Sequence, residues 1–389
     1  MTSCPVCCSR KTRVFDRRER VSLLQNRLYG TAEAARHAPT VQVVMTACAD
    51  CSFVWNAAFD PGLMKYDPSY ENDQSNSDVF KHHLQERVAR ILDAAGDGPG
   101  RHIVEVGCGQ GDFLALLASA PSSHAVSLTG FDPAWRGTDS NGPGGSRIFR
   151  SMFSTESARA LQTPPDAVVS RHTIEHVSDP VGFLTAIRDA CAGRKVRIFL
   201  ETPCVNWILE NLQFQDFFYE HCSIFTTASL QRALRQAGLF PGRIEHVFGG
   251  QYLWAEAFSS GAEQQPLLPV PELAVDRWSD AKSRFVAMWI ERIEAAAKKG
   301  PVFVWGVGAK GVTFSQLTDP QGTLLAGAVD VNPKKQSRYI PLTGLGVIAP
   351  RELPVVPFTA IVMNPNYFDE IAVSLKATGR TATLVSVAE

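Results

Sequence analysis

The stretch that most constrains this chain is residues 103–112, Ile-Val-Glu-Val-Gly-Cys-Gly-Gln-Gly-Asp. Its β-branched start, Ile103, Val104 and Val106, reads as a buried strand. Three glycines spaced by two follow, Gly107, Gly109 and Gly111, and then an apolar helical pattern from Phe113 to Leu117. A strand that turns through glycines into a helix offers a ligand backbone N–H groups and the positive helix end. The same turn also occurs with no ligand. Asp132 argues for one, because it ends a second apolar run from Val126 to Phe131. An acid at the tip of strand two is placed to accept both hydroxyls of a ribose.

The surrounding pattern makes the fold class α/β. Strands are predicted at 102–106, 126–131, 147–150, 166–170 and 196–200, with helices at 111–119, 155–161 and 180–191. That alternation implies a parallel sheet with helices on both faces, whose ligands sit outside the carboxyl ends of the strands. Glu105, Gly107, Asp132, His172 and Glu201 fall there. A helix at 229–237 and strands at 243–248 and from 252 complete this unit, and a helix over 78–95 precedes it. Residues 60–80 are polar and rich in turn formers, yet carry Tyr66 and Tyr70. Solvated linkers rarely carry large aromatics, so a loop over the cofactor or substrate is expected.

A Pro/Gly/Ser-rich linker at 259–271 marks the clearest boundary, and a long helix over 272–299 follows. The strand–glycine–helix device then recurs at Val302 to Gly311, with Gly306, Gly308 and Lys310, and Asp330 ends the next strand. A second, smaller Rossmann-like unit is therefore predicted over 272–389, with later strands near 346–348, 359–363 and 383–387. Lys310 at the turn, with Lys334, Lys335 and Arg338 after the second strand, suits a phosphate-bearing group.

The head of the chain carries Cys4-Pro-Val-Cys7 and Cys48-Ala-Asp-Cys51. Two such knuckles fit one tetrahedral zinc ion, and four thiolates make a closed, structural site. The segment between them reads as too small and polar to fold around a core of its own. Cys8 is a spare thiol beside the first knuckle. The predicted organisation is thus a zinc-binding head with a covering loop at 1–75, an α/β unit at 76–258, the linker, and the C-terminal unit. The 38 basic and 39 acidic residues leave a net charge of −1, so no basic field favours nucleic acid. No run of about 18 apolar residues suggests a membrane span. The start of the chain has no apolar segment of the secretory kind. A cytoplasmic location is expected, where cysteines serve more often as metal ligands than as disulfides.

The spacing Glu105-x-Gly107-x-Gly109-x-Gly111 differs from the Gly-x-Gly-x-x-Gly of nicotinamide sites. It resembles motif I of the class I S-adenosylmethionine (SAM) methyltransferases, and residues 166–180 resemble that family's fourth strand and following loop. The resemblance implies SAM as cofactor, with Glu105, the three glycines and Asp132 around it. It places Met152, Phe153 and His172 near the cofactor as well. Over nearly its full length, the chain resembles the bacterial nucleotide-sugar C-methyltransferases. That group implies an NDP-linked, typically dTDP-linked, 4-keto-deoxysugar bound between the SAM unit and the C-terminal unit, and methylated on the carbon next to the keto group. The family's Tyr-His-Glu-His motif is Phe218-Tyr219-Glu220-His221 here, so the last two positions match and the first two do not. The family's Asn-x-x-x-His loop is His172-Thr-Ile-Glu-His176, so His176 matches and His172 replaces an amide.

The resemblance implies His221 with Glu220 as the base, His176 against the keto oxygen, and Tyr70 and Tyr219 near the substrate. Base catalysis suits the chemistry, because a proton alpha to a carbonyl must leave before carbon can attack a methyl group. Two rivals remain at this level. One is O- or N-methylation of another small metabolite, which would show no exchange of a carbon-bound hydrogen. The other is a non-catalytic SAM- and zinc-binding interaction protein, which would show no turnover.

Overall fold

The computed structural model describes residues 3–65, 77–96, 100–121, 126–138, 141–261, 263–377 and 379–388. Tyr70 and most of the expected covering loop lie outside them.

The chain begins with β1 (Thr12–Ser22), α1 (Ala32–Arg36), β2 (Thr40–Cys48) and β3 (Val54–Asn56). The α/β unit follows with α2 (Asp78–Ala95), β4 (Arg101–Val106), α3 (Asp112–Ser119), β5 (Val126–Phe131), β6 (Arg147–Phe149) and β7 (Ala167–Arg171). It continues with α4 (Pro180–Ala190), β8 (Arg197–Pro203), α5 (Val205–Glu210), β9 (Ser223–Ile224), α6 (Thr227–Gln236), β10 (Phe240–Val247) and β11 (Tyr252–Phe258). The C-terminal unit comprises α7 (Trp278–Ala297), β12 (Val302–Trp305), α8 (Ala309–Thr318), β13 (Gly327–Val329), β14 (Val347–Ile348), β15 (Phe358–Val362), α9 (Phe368–Ala377) and β16 (Ala382–Ser386).

The central sheet runs β10-β11-β8-β7-β4-β5-β6. Its five strands from β8 to β6 are parallel, and β11 is inserted antiparallel between β8 and β10. All six residues of β4 are buried, as a strand covered on both faces requires. The C-terminal sheet is wholly parallel in the order β14-β13-β12-β15-β16. In both units the order reverses beside the strand that precedes the glycine turn, which opens a crevice there.

Two expectations are corrected. The segment between the cysteine knuckles does form a sheet with a core. β1, β2 and β3 are joined by β9 from far along the chain, with Val54 opposite Ile224. Its inward residues Phe15, Val43 and Met45 pack with Phe214, Phe217 and Trp278, the first residue of α7. Trp278 lies 4.4 Å from the Phe214 ring and 5.2 Å from Phe217. The apolar partners are therefore borrowed from later in the sequence. Next, the expected helix at 155–161 is a single 3-10 turn, Ser157–Ala160. The linker stretch at 259–271 lies against α6. Gln231 of α6 donates to Pro266 O and accepts from Leu268 N, and Arg235 donates to Gln265 O.

The C-terminal unit meets the rest of the chain through polar pairs. Gln251 and Asn364 exchange hydrogen bonds of 2.8 and 3.2 Å. Lys310 pairs with Asp216 at 3.0 Å, and Lys282 of α7 reaches Asp16 of β1.

Candidate active site

The first glycine turn is built by close approach. Gly107 has φ 77°, and a Cβ there would stand 1.9 Å from Thr173 Oγ1 of the next strand's loop. Gly111 caps α3 with φ 81° and no side chain on the helix's first N–H groups. Asp132 steadies the turn: its two oxygens accept from Gly109 N (2.8 Å) and Ala134 N (2.7 Å), and each keeps a further lone pair. Glu105 is fully buried, and burial drives its pKa up to about 8 against the pull of Arg171. Among the described residues nothing pairs with its Oε2. A buried carboxyl with an open oxygen beside a bare helix end fits a cationic ligand such as SAM. Phe153 packs edge-on against Phe131 at 5.1 Å, whereas Met152 is 63% exposed.

Beyond this turn lies a cavity of about 330 Å³ that reaches into the C-terminal unit. His172, Glu175, His176, His221 and Tyr252 line one wall. The Glu175 carboxylate and the ring nitrogens of His176 and His221 converge within 4.8 Å of one another. The two histidine rings are 5.0 Å apart, and Phe218 covers His221 at 3.9 Å. Burial, reinforced by proton competition with neighbouring His176 and by the positive charge of His172 and Lys310, holds His221 well below the ordinary histidine range. Burial also lowers His176, whose ring hydrogen-bonds the Glu220 carbonyl. Both rings are therefore neutral at neutral pH, and His221 Nδ1 has no partner among the described residues.

Behind this wall stands a buried ionic cluster. Glu201, at the end of β8, faces His83 Nε2 (2.9 Å), His172 Nε2 (2.9 Å) and Arg171 Nη2 (3.3 Å). Burial opposes its charge, but Arg171, His172 and His83 outweigh burial and hold it well below the carboxylate range. Glu175 takes His172 Nδ1 at 3.3 Å and the Thr202 hydroxyl at 3.1 Å. Sequence reasoning placed Glu201 at a strand end but missed His83, Glu175 and Tyr252. His83 left one signal, a histidine on the buried stripe of α2 beside Phe80 and Leu84.

Glu220 and Tyr219 do not line this cavity. Glu220 is buried and accepts from Gln25 N at 2.7 Å. The Tyr219 hydroxyl accepts from Asp60 N at 2.8 Å. Both fasten the loop that carries His221 to the N-terminal sheet.

The opposite wall repeats the first turn. Asp330 accepts from Val307 N (2.7 Å) and Asn332 N (2.8 Å), as Asp132 does from its own turn. Gly311 sits so tightly that a Cβ would meet Gly306 O at 2.0 Å. Lys335 is buried and donates to Val307 O at 3.0 Å. Both Asp330 and Lys335 line the cavity, as does Lys310, whose ammonium is paired with Asp216. Arg338 is exposed and lies apart, near Gly30.

At the head, Cys4 and Cys51 sulfurs are 3.6 Å apart and those of Cys7 and Cys48 3.5 Å. All four converge within 4.8 Å. Sulfurs at about 2.3 Å from a tetrahedral zinc would stand roughly 3.8 Å apart. The cluster fits a structural zinc ion, and Cys8, exposed, points outside it. No helix among the described residues is long and apolar enough to cross a membrane.

Comparison with family models agrees with this layout. A family model described as a methyltransferase domain matches residues 80–240, and one described as a C-methyltransferase C-terminal domain matches residues 276–386. The C-methyltransferase NovU of Streptomyces niveus is 24% identical over 325 residues, 78% of this chain and 75% of that protein. Among solved structures, magnesium protoporphyrin IX methyltransferase (ChlM) from Synechocystis PCC 6803 aligns over 47% of this chain and 84% of its own, at 15% identity and TM-score 0.36. A SAM-dependent methyltransferase from Aquifex aeolicus aligns over 49% and 100%, at 17% identity and TM-score 0.34. The chain is a SAM-dependent methyltransferase whose residues 276–386 are similar to a C-methyltransferase C-terminal domain.

Proposed function

We propose that the protein methylates the carbon next to the keto group of a nucleotide-linked 4-keto-deoxysugar. The observation that carries this reading is the cavity running from His176 and His221 to Asp330 and Lys335. The strand-tip acid Asp330 suits a ribose, and Lys335 with the uncapped start of α8 suits a diphosphate. A sugar hung from that handle extends toward His221.

His221, neutral and buried, takes the proton from the carbon alpha to the carbonyl, and the C–H electron pair moves to form an enolate. His176 has its ring hydrogen on the Glu220 carbonyl, so in its neutral form the other nitrogen is an acceptor. The donor to the enolate oxygen is then the Tyr252 hydroxyl, which burial keeps protonated well above the usual tyrosine range. SAM, when bound, would supply a methyl group activated on its sulfonium, with the electron pair of the broken carbon–sulfur bond staying on sulfur. The proton on His221 leaves to water as the product departs.

The test is incubation with SAM in deuterated buffer with a panel of dTDP- and other NDP-4-keto-deoxysugars, read by mass spectrometry. A gain of one methyl is expected in the product, with His221-dependent deuterium uptake at the alpha carbon of recovered substrate. SAM binding with no methyl gain on any member would sink the sugar assignment.

A further inference from the structure

We propose that His172 is the positioning residue of the His176–His221 pair: clamped as an imidazolium between Glu175 and Glu201, it pins the turn that delivers His176 and sets the proton affinity of His221. This rests on the reading of His221 as the base.

The geometry starts at the backbone. His172 takes φ 47°, in the left-handed region, and its amide donates to Glu201 O at 2.8 Å. The chain then folds into the 3-10 turn Ile174–His176, so the conformation of His172 aims His176. The ring stands between two carboxylates, Nδ1 3.3 Å from Glu175 Oε1 and Nε2 2.9 Å from Glu201 Oε1, the second contact being an ion pair with an oblique donor angle. A neutral imidazole keeps one bare lone pair. In either tautomer a bare ring nitrogen would stand within 3.3 Å of a carboxylate oxygen. Only the doubly protonated ring sets positive charge beside both carboxylates. Burial works against this charge, but the bonds to Glu175 and Glu201 prevail and bring the ring up to about 9.

The surroundings close the account of charge. From β7, Arg171 shares Glu201, and from α2, His83 holds its other oxygen. From β8, Thr202 donates to Glu175. The Tyr252 ring of β11 meets His172 edge-on at 4.5 Å. Beside it on the same wall stand His176 and His221, and the Lys310–Asp216 pair lines the cavity as well. His172 has no ring nitrogen left for the cofactor, and it cannot act as a base. What it offers His221 is a fixed positive neighbour, which disfavours a second positive ring.

The test uses the full-length, SAM-bound protein with isotope-labelled histidine, titrated by NMR. In the wild type, one ring stays doubly protonated at pH 7.5, and its signal is lost in His172→Asn. The His221 ring, assigned by loss in His221→Gln, stays neutral down through the ordinary histidine range. In His172→Asn its midpoint rises by at least about half a pH unit, and His172→Lys brings it back. A neutral His172 in the wild type at pH 7.5 overturns the proposal. So does an unmoved His221 midpoint in a His172→Asn protein that binds SAM normally. Should that variant fail to fold, Glu201→Gln replaces it, and a His172 midpoint that does not fall overturns the clamp. None of these readouts needs a sugar, so failure of the substrate assignment leaves them standing.

Discussion

At the scale of single residues, the proposed reading puts the chemistry on two titrating groups, His221 and Glu105. His221→Gln keeps a polar side chain but no base, and methyl transfer should fall by about 10²–10⁴ with loss of carbon-bound deuterium exchange. Because the folded protein holds His221 below the ordinary histidine range, activity should stay flat from neutral pH down past about 6.5 before its acid limb begins. The same sign governs stability. The unfolded chain takes up this proton first, so the His221 contribution is lost as pH falls below about 6.5. Glu105 runs the other way. With its pKa near 8 it is largely protonated at pH 7 without ligand, and a cation arriving beside it favours the charged form. SAM binding at pH 7 should therefore release up to about one proton. Calorimetry in buffers of different ionisation enthalpy measures this, and Glu105→Gln should abolish it. A proton count near zero in the wild type would remove Glu105 from the cofactor's reach.

At the scale of elements, the zinc cluster bears on catalysis without touching the cavity. Its knuckles flank β1 and β2, whose sheet is completed through β3 by β9, two residues beyond His221. Structural zinc sites in small domains owe most of their folding energy to the metal. Removing the ion with a strong chelator, or Cys48→Ser, should lower the melting temperature and cut methyl transfer more than tenfold. Full activity at less than a tenth of a zinc per chain would contradict this. The elements themselves were largely legible in the sequence, because short buried strands and glycine turns declare themselves within ten residues. β4, β5 and the turn at 306–311 fall where periodicity puts them. The N-terminal sheet was not legible. Its core partners Phe214 and Trp278 lie roughly two hundred residues or more from Phe15, and Asp16 and Arg18, polar to the eye, are buried against each other. The candidate site divides likewise. His176 and His221 were readable as types at a motif, whereas the pairing of His83 with Glu201, 118 residues apart, exists only in three dimensions.

At the scale of the whole molecule, the cavity depends on how the two Rossmann-like units are held together. Gln251 and Asn364 satisfy each other across that junction, and both are buried. Gln251→Ala should cost about 1–3 kcal/mol by stranding the Asn364 amide. Because both residues also line the cavity, it should raise the KM for a nucleotide-linked acceptor more than it lowers kcat. Denaturant unfolding and steady-state kinetics check the two parts. An unchanged KM would mean that the junction does not shape acceptor binding.

The second glycine turn faces the same hollow as His221, so under the proposed reading the acceptor is tethered. Once the handle is seated, the reacting carbon experiences an effective concentration set by the length of the tether and not by the solution. The handle's binding energy can then be spent on holding the carbon against His221 in line with the methyl donor. The same keto-sugar without its nucleotide should be nearly inert even at saturating amounts. Adding free nucleoside diphosphate should occupy the handle without rescuing it, since two separate molecules lack the covalent link that holds the ring in place.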